Sequence, residues 1–301
     1  MQKVLITGIA SGLGRLVARR LRNTCQVVGA DRDQWTARLP ELPFYRVDLR
    51  ARGFEEVFRA ERPDAVVHLG FVRHFRASAN ERYDVNVRGT RRLLDHCRRH
   101  GVKRVLVLST SYVYGAMPEN PCFMDEEYPL SASRNYPEIR DLVEVDTIAT
   151  SFMWRHVDID TSVIRPVPTL GYYVESTIGS YLRTNPVVVA MGFDPMMQFL
   201  HEDDLAEAVA LSVEKGLRGV YNLAGPGQVP LRVAIRETGG RALPLPDPVL
   251  RRYASRVMGL PSGAIDFIKF PCTIDGARFV RDTGFRPQVG LKEAFRGVRR
   301  V

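Results

Sequence analysis

Short runs of β-branched and aliphatic residues alternate with amphipathic segments along the first half of the chain. The amphipathic segments repeat apolar residues at helical spacing, and alternation of strands with such helices is typical of βαβ units. We therefore expect an α/β fold with a doubly wound parallel sheet. The predicted strands are Lys3–Thr7, Gln26–Ala30, Phe44–Val47, Ala65–Leu69, Arg104–Ser109 and Thr161–Arg165. The predicted helices are Gly12–Arg22, Gly53–Ala60, Arg82–His100 and Pro137–Arg155.

The pattern changes after Pro166, where prolines and glycines become frequent and helical segments become shorter. The segment Leu243–Pro248 contains spaced prolines, which exclude it from a helix interior and from the middle of a sheet. A helix at Asp203–Glu214 followed by a strand at Val220–Asn222 indicates that the chain returns to the main sheet. We expect a sheet domain formed by residues 1–165 and about 199–224, and a smaller interleaved C-terminal lobe formed by about 166–198 and 225–301.

Composition and charge narrow the possible partners. The 301 residues are 45% hydrophobic and 26% charged, which is typical of a folded globular protein. The net charge of +9 comes mainly from arginines at positions outside the apolar helix stripes, so we interpret them as a solvated surface. Because no aromatic residues are interleaved with them, nucleic acid is not an expected partner.

The cysteines and the chain start indicate a reducing compartment. The four cysteines lie far apart in the sequence, which gives neither a disulfide framework nor a zinc-knuckle spacing. The chain enters its first predicted strand directly after Met1-Gln2-Lys3, and no apolar run reaches the length of a membrane span. We expect a cytoplasmic protein without a membrane partner.

A glycine-rich segment, Thr7–Gly14, follows the first predicted strand and opens the first predicted helix. Glycines there permit a tight turn, and the helix N-terminus offers free N–H groups to a pyrophosphate. Asp31 ends the second predicted strand, where a carboxylate can accept both ribose hydroxyls and repel a 2′-phosphate. The pattern predicts an NAD site and makes NADP the second choice, although the adjacent Arg32 weakens that preference. Alternatively, Asp31 only starts the following turn.

Further motifs follow the later strands in order. They are Val66–Gly70, Tyr83–Thr90, Ser109–Gly115, Arg165-Pro166, His201–Asp204 and Tyr221–Leu223. Together with the glycine-rich segment, this ordered set resembles the extended short-chain dehydrogenase/reductase family, the NAD-dependent epimerase/dehydratase group, over about residues 1–225. One departure is the glycine spacing, which is more similar to that of the single-domain branch.

The resemblance implies a set of cofactor contacts. It implies contacts of the glycine-rich segment with the pyrophosphate, of Asp31 and Arg32 with the adenosine ribose, and of later residues with the adenine and the nicotinamide half. The implied cofactor residues are Gly8, Gly12, Leu13, Gly14, Asp31, Arg32, Asp48, Leu49, Gly70, Phe71, Arg73, Asn86, Ser109, Tyr136 and Arg140. Two alternatives stay open, because Asp48 could cap a helix and Asn86 could satisfy buried backbone groups.

The resemblance also implies a catalytic set of Thr110, Tyr136 and Arg140. Tyr136 matches the family's tyrosine, but Arg140 replaces the lysine four residues later. On a helix these two residues would be neighbours, so Arg140 could place a cation beside the phenol. Arginine does not release a proton, so two functions remain open. One is an NAD-dependent oxidoreductase or epimerase with Tyr136 as acid/base; the other is a nucleotide-binding sensor or interaction protein with lost catalysis.

The substrate expected from these positions is sugar-like or small and hydrophobic. Ser111-Tyr112 stands where related dehydratases carry Asp-Glu, and Pro168 and Met197 replace residues that hold a substrate diphosphate in related epimerases. Arg183 could bind a substrate diphosphate in place of these residues. The predicted apolar pocket wall consists of Phe71, Tyr112, Tyr172, Tyr173, Phe193, Met196, Met197 and Phe199.

Two further expectations concern metals and assembly. His96 and His100 have a spacing that can chelate zinc, beside Cys97, but the sequence offers no third ligand nearby, so no metal is expected. The acidic segment His201–Asp204 is interpreted as helix-start charge. The resemblance implies a homodimer formed through the helices Arg82–His100 and Pro137–Arg155.

Overall fold

The structure is a computed structural model that describes residues 2–36, 39, 41–72, 77–256 and 261–298. Its central feature is a seven-stranded sheet with the strand order β11-β6-β5-β4-β1-β2-β3, in which all pairs are parallel. The doubly wound parallel sheet predicted from the sequence is confirmed. These strands are β1 (Lys3–Thr7), β2 (Gln26–Asp31), β3 (Phe44–Arg46), β4 (Ala65–His68), β5 (Arg104–Leu108), β6 (Asp160–Pro166) and β11 (Gly219–Leu223).

Alternate residues of the strands pack on opposite faces of the sheet, as the strand period of two requires. Val4 and Ile6 belong to one apolar cluster with α1 and α8, whereas Leu5 belongs to another with α2, α4 and α6. The helices are α1 (Gly12–Leu21), α2 (Phe54–Glu61), α3 (Ala79–Tyr83), α4 (Gly89–Arg99), α5 (Ala132–Asn135), α6 (Arg140–Arg155), α7 (Thr177–Leu182), α8 (Glu202–Glu214), α9 (Leu231–Glu237), α10 (Asp247–Arg256), α11 (Ala277–Thr283) and α12 (Leu291–Arg296).

Two predicted helices differ from the structure. The segment Arg82–His100 is not one helix, because a π-helical turn at Asp84–Arg88 separates α3 from α4. The segment Pro137–Arg155 begins with a 3₁₀ turn, Pro137–Ile139, and α6 starts only at Arg140. Both differences lie next to the candidate site and change which side chains meet there.

The later part of the chain forms short two-stranded sheets around a separate apolar cluster, which includes Leu170, Val188, Phe199 and Phe295. The strand β13 contains Pro244 and pairs only with β8, so the proline-containing segment occupies a sheet edge, as its composition requires. The remaining strands are β7 (Thr169–Leu170), β8 (Val187–Ala190), β9 (Met196–Gln198), β10 (Leu200–His201), β12 (Gln228–Pro230) and β13 (Ala242–Leu245). None of the described helices has the length and apolarity needed to cross a bilayer.

Candidate cofactor and active site

The candidate site lies at the carboxyl edge of the parallel sheet. Thr7 ends β1, Asp31 ends β2, His68 ends β4 and Leu108 ends β5, so the segments that follow these strands meet at one edge. This edge is the general ligand position of open parallel sheets. It brings together the glycine-rich segment, Asp31, Gly70 and the Ser109–Tyr114 segment.

The glycine-rich segment is tightly packed. Gly8 has a φ of 76°, and a Cβ atom there would lie 2.7 Å from the backbone of Gly70. A Cβ atom at Gly14 would lie 2.4 Å from the carbonyl oxygen of Gly8. Ser11 caps α1, because its Oγ accepts a hydrogen bond of 3.0 Å from the Gly14 N–H. The local geometry therefore requires glycine at both positions.

The first turn of α1 offers unpaired donors. In the described part of the chain, the N–H groups of Gly12 and Leu13 have no hydrogen-bond acceptor. A Cβ atom at Gly12 would lie 1.9 Å from the carbonyl oxygen of Tyr173, which belongs to a loop after β7. Free N–H groups at a helix N-terminus are donors of the kind that bind a pyrophosphate.

Asp31 lies directly beside this loop. Its Oδ2 accepts a hydrogen bond of 2.9 Å from the Ala10 N–H, and its Oδ1 accepts one of 3.0 Å from the Asp33 N–H. Burial raises the pKa of Asp31 above its ordinary value, while the two N–H groups act in the opposite direction. The neighbouring Arg32 faces Glu81 at 3.6 Å and Asp33 at 3.8 Å. Asp31 thus links the end of β2 to the glycine-rich segment.

Asp48 and Leu49 follow β3. The Asp48 carboxylate binds the guanidinium of Arg50 with contacts of 2.6 and 2.9 Å and accepts the Arg50 N–H at 2.8 Å. The Arg50 guanidinium lowers the pKa of Asp48 below its ordinary value. Leu49 packs near the Cα positions of Gly70 and Gly89. Asp48 thus stabilises its own turn and does not cap the following helix, which begins at Phe54.

The segment after β4 is held by Asn86. The buried Asn86 amide accepts a hydrogen bond of 2.8 Å from the Val72 N–H and donates one of 2.9 Å to the Val72 carbonyl. It also donates one of 2.6 Å to the Asp141 carboxylate. Asn86 therefore satisfies buried backbone groups and fixes the loop that carries Gly70 and Phe71. Arg73 lies outside the described residues.

Ser109 and Thr110 have different environments. The Ser109 hydroxyl donates a hydrogen bond of 2.6 Å to Asp146, which forms a buried ion pair with Arg165 at 2.7 Å. Thr110 is partly buried and caps a short 3₁₀ helix, where its Oγ1 accepts the Tyr112 N–H at 3.3 Å. Ser109 is therefore part of an internal network, and Thr110 is the hydroxyl at the edge of the sheet.

Tyr136 is enclosed by aromatic residues. Its ring lies 5.6 Å from that of Phe267, and the Tyr112 ring lies 4.7 Å from Phe267 on centroid distances. Tyr136 is only 5% exposed. Burial raises the pKa of Tyr136 well above its ordinary value, and the nearby Tyr112 adds to the rise. Phe267 comes from the C-terminal part of the chain, and no sequence motif marked it.

Tyr136 and Arg140 do not share a helix, contrary to the sequence-based expectation. Pro137 follows Tyr136, and a residue before proline is disfavoured from helical angles; Tyr136 has φ −133° and ψ 70°. Arg140 begins α6 and is exposed, and its guanidinium forms no ion pair or hydrogen bond with any described residue. The i to i+4 neighbour relationship that would bring its guanidinium to the phenol is therefore absent.

A different arginine, Arg82, is buried next to this segment. Its Nη2 donates a hydrogen bond of 2.5 Å to the Glu138 carbonyl, and its Nε lies 3.9 Å from Asp141 Oδ2. Its positive charge opposes the burial-driven rise in the pKa of Tyr136. The sequence pattern predicted Arg82 only as the first residue of the helix Arg82–His100 and did not indicate its burial.

A narrow crevice lies beside Tyr112. Its lining is mainly apolar and consists of Tyr112, Pro168, Met196, Met197, Gln198, Phe267 and Cys272. Three residues of the predicted pocket wall, Tyr112, Met196 and Met197, thus meet there. Phe199 is fully buried in the small-lobe cluster and does not line the crevice, because β9 and β10 turn it inward.

The acidic segment at the start of α8 has a structural role. The Glu202 carboxylate accepts the N–H groups of Tyr172, Tyr173 and Val174 at 2.7–3.2 Å. Asp204 accepts two further N–H groups, from the chain segment at Gln288. Glu202 therefore fixes the loop that packs on Gly12, which the sequence pattern did not indicate.

Comparisons with known proteins identify the family to which this fold belongs. The model of the NAD dependent epimerase/dehydratase family matches residues 4–224. The chain belongs to this family.

Sequence relatives extend over most of the chain. An uncharacterized protein of Mycobacterium tuberculosis is 27% identical over 310 residues, covering 97% of this chain and 82% of its own. UDP-glucose 4-epimerase 2 of Oryza sativa subsp. japonica is 30% identical over 240 residues, covering 68% of this chain and 58% of its own.

Solved structures share the fold. UDP-glucose 4-epimerase of Thermus thermophilus, in complex with NAD, superposes with a TM-score of 0.79 at 21% identity, covering 99% of this chain and 97% of that one. The dTDP-glucose 4,6-dehydratase of Bacillus anthracis, also in complex with NAD, gives a TM-score of 0.76 at 18% identity, covering 99% and 96%.

Proposed function

We propose that this protein is an NAD-dependent oxidoreductase or epimerase that acts on a hydroxyl or keto group of a sugar-like or small hydrophobic substrate, with Tyr136 as acid/base. The proposal is supported by the strand order, in which the glycine-rich segment follows β1 and Thr110 follows β5 at the same edge of the sheet. Tyr112, two residues after Thr110, packs on Phe267, which also packs on Tyr136. Family membership and NAD-bound structures of the same fold support it.

The residues present fit NAD. The N–H groups of Gly12 and Leu13 would hold the pyrophosphate, and the Asp31 carboxylate would accept the adenosine ribose hydroxyls. NAD is proposed ahead of NADP, because a 2′-phosphate beside Asp31 would meet a negative charge, and Arg32 already faces two carboxylates. When bound, the cofactor supplies a hydride acceptor and donor.

The protein's own groups would hold the substrate and move its proton. The Thr110 hydroxyl would hydrogen-bond the reacting oxygen. The Tyr136 phenolate would take up the substrate's proton on oxidation, and the resulting phenol would return it on reduction. Because burial raises the pKa of Tyr136, a cation is needed to make the phenolate accessible. Arg82 is proposed for this electrostatic role, and Arg140 for contact with the cofactor ribose from the exposed start of α6.

The crevice beside Tyr112 would receive the substrate. Its methionine and aromatic side chains suit the apolar face of a sugar ring or a small alcohol. Pro168 and Met197 offer no donors to a diphosphate, whereas Arg183, whose guanidinium lies 3.4 Å from the Gly171 carbonyl, is the alternative anion contact. Because sequence relatives include UDP-glucose 4-epimerases, UDP-sugars belong in any substrate panel.

The test is a panel of UDP-sugars, dTDP-sugars, free sugars and small alcohols, presented to NAD-loaded wild type and to Tyr136→Phe. We expect at least one compound to be converted, and the variant to lose at least about 100-fold in kcat/KM at unchanged NAD occupancy. Tyr253→Phe is the matched control, since Tyr253 packs on the small-lobe cluster. Equal turnover by Tyr136→Phe and wild type would contradict the proposal.

A second function, an NAD-binding sensor or interaction protein without catalysis, is favoured by one observation. Arg140 replaces the family's lysine and is exposed, while Tyr136 is buried with a raised pKa. NAD binding with no Tyr136-dependent conversion of any compound would support this function.

A homodimer through α4 and α6, which pack against each other and share the Arg91–Glu144 ion pair, is also proposed. Sedimentation of a monomer alone would reject the dimer.

A further inference from the structure

Packing of α2 against α4 brings two histidines and a glutamate together. His96 and His100 lie four residues apart at the end of α4, and Glu55 lies in the first turn of α2. Their ligand atoms lie within 4.8 Å of one another, and His100 Nε2 is 3.4 Å from Glu55 Oε1. None of these three residues belongs to the candidate cofactor and active site.

Two imidazole nitrogens in this group are buried and make no hydrogen bond of good geometry, although His100 Nε2 faces the Glu55 carboxylate at 3.4 Å. Nδ1 of His96 and Nε2 of His100 have no hydrogen-bond partner among the residues that the structure describes. A buried polar atom without a partner costs free energy that a ligand can recover. Two such nitrogens beside a carboxylate are an arrangement that a cation would satisfy.

The rings are held in place by aromatic packing. The Phe58 ring lies 5.5 Å from both imidazoles and stacks on that of His100, and Phe54 lies 6.0 Å from His96. Both phenylalanines are fully buried. The side chains of His100 and Glu55 are 20% and 28% exposed, so the group lies just below the protein surface. The rings are therefore held in position close to solvent.

We propose that Glu55, His96 and His100 bind a divalent transition-metal ion of the zinc class, with water in the remaining position. Two ligands of a tetrahedral zinc ion, each about 2.1 Å from the metal, lie about 3.4 Å apart. The separation between His100 Nε2 and Glu55 Oε1 matches this value. Imidazole ligands favour zinc, copper and nickel over magnesium and calcium. Cys97 is fully buried among core residues and is not a ligand.

The surrounding charges permit this binding. Arg59 contacts Glu55 at 3.2 Å but also pairs with Glu56 at 2.7 Å, so it keeps a partner when Glu55 binds metal. Asp95 pairs with Arg98 and Arg99 on the same helix end. Glu55, the third ligand, lies 41 residues before His96 in the sequence, so sequence spacing alone did not identify the site.

The bound ion would join α2 to α4. Because a metal that binds only the folded state stabilises it, zinc should raise the melting temperature of the metal-free protein. The Glu55→Gln and His96→Asn variants should lack this rise. Both substitutions are at partly exposed positions, so the variants are expected to fold.

The experiment is a titration of the metal-free full-length protein with Zn²⁺, followed by calorimetry. We expect one zinc ion per chain, with affinity reduced at least about tenfold in Glu55→Gln and in His96→Asn. Glu56→Gln and His156→Asn are matched controls and should bind as wild type does. Mg²⁺ in excess should not displace zinc.

Two results would overturn the site. The first is wild-type affinity no higher than that of the double variant His96→Asn/His100→Asn. The second is an equal loss of affinity in the control variants. If a variant unfolds, the visible spectrum of the Co²⁺-loaded wild type decides: intense tetrahedral bands support the site, and a weak spectrum like that of the aqueous ion contradicts it.

Discussion

The guanidinium of Arg82 donates a 2.5 Å hydrogen bond to the carbonyl of Glu138, two residues after Tyr136. This contact fixes the segment between α5 and α6, where Tyr136 precedes a 3₁₀ turn rather than starting a helix. It places a buried positive charge whose effect reaches the phenol, whereas the arginine at the family's lysine position is exposed. Electrostatic control of Tyr136 is thus assigned to Arg82 in our account.

Separate substitution of Arg82 and Arg140 by glutamine should distinguish the roles of the two arginines. Arg82→Gln removes a cation that lowers the pKa of Tyr136, so we expect the ascending limb of the kcat/KM profile for substrate oxidation, where activity rises as the phenol deprotonates, to move to higher pH. Activity near neutral pH should fall about tenfold or more. Arg140→Gln should leave the position of that limb unchanged. The measurement is the pH profile of both variants; a shift in Arg140→Gln alone would reassign the role to Arg140.

Substitution of Gly12 by alanine should weaken cofactor binding. The new Cβ atom would lie 1.9 Å from the Tyr173 carbonyl and would displace the loop against the first turn of α1. We expect a loss of at least about tenfold in NAD affinity, or about 1.4 kcal/mol, by calorimetric titration. Gly53→Ala is the matched control, since its Cβ would meet nothing within 4 Å. Equal NAD affinities of Gly12→Ala and wild type would show that the loop containing Tyr173 does not constrain the NAD site.

The buried pair Asp146–Arg165 should be important for stability. Asp146 accepts hydrogen bonds from Arg165 and from Ser109, and both charged residues are buried. Asp146→Asn would leave an uncompensated buried guanidinium, and we expect a loss of about 3–5 kcal/mol in the free energy of unfolding. Urea denaturation measures it, with Asp203→Asn, at a partly exposed position, as control. A loss no greater than that of Asp203→Asn would indicate a solvated pair.

The contact between Asp48 and Arg50 predicts a pH dependence of stability. The guanidinium holds the pKa of Asp48 below its ordinary value of 3.8, so the stabilisation is present above that value and is lost as pH falls through the lower, folded-state pKa. For a partly exposed pair we expect about 0.5–1 kcal/mol at pH 7. The difference between wild type and Asp48→Asn should shrink in strong acid, as measured by denaturation at both pH values. A stability difference between wild type and Asp48→Asn that does not change with pH would exclude the Asp48–Arg50 ion pair as the source of the difference.

The sheet was predictable because its strands are apolar runs bounded by turns. Lys3–Thr7 has the predicted bounds, and the other predicted strands differ by one residue at one or both ends. The glycine-rich segment was also predictable, because Gly8 and Gly14 are required by short-range backbone contacts.

The surroundings of Tyr136 were not predictable from local pattern. The break at Pro137 removes the helical relationship with Arg140, and a π-helical turn brings Arg82 into the interior. Phe267 reaches Tyr136 from more than a hundred residues later, and Glu55 reaches His100 from another helix. Such contacts depend on tertiary packing, which hydrophobic periodicity does not encode.

The measurement that tests the central claim most directly is an ultraviolet titration of tyrosine ionisation, wild type minus Tyr136→Phe, with and without saturating NAD. Without NAD, burial raises the pKa of Tyr136, so its signal should appear only at very alkaline pH. The oxidised nicotinamide carries a positive charge, which favours phenolate, so NAD should move the Tyr136 signal to lower pH. A Tyr136 signal that NAD does not move, with NAD shown to be bound, would contradict the acid/base role.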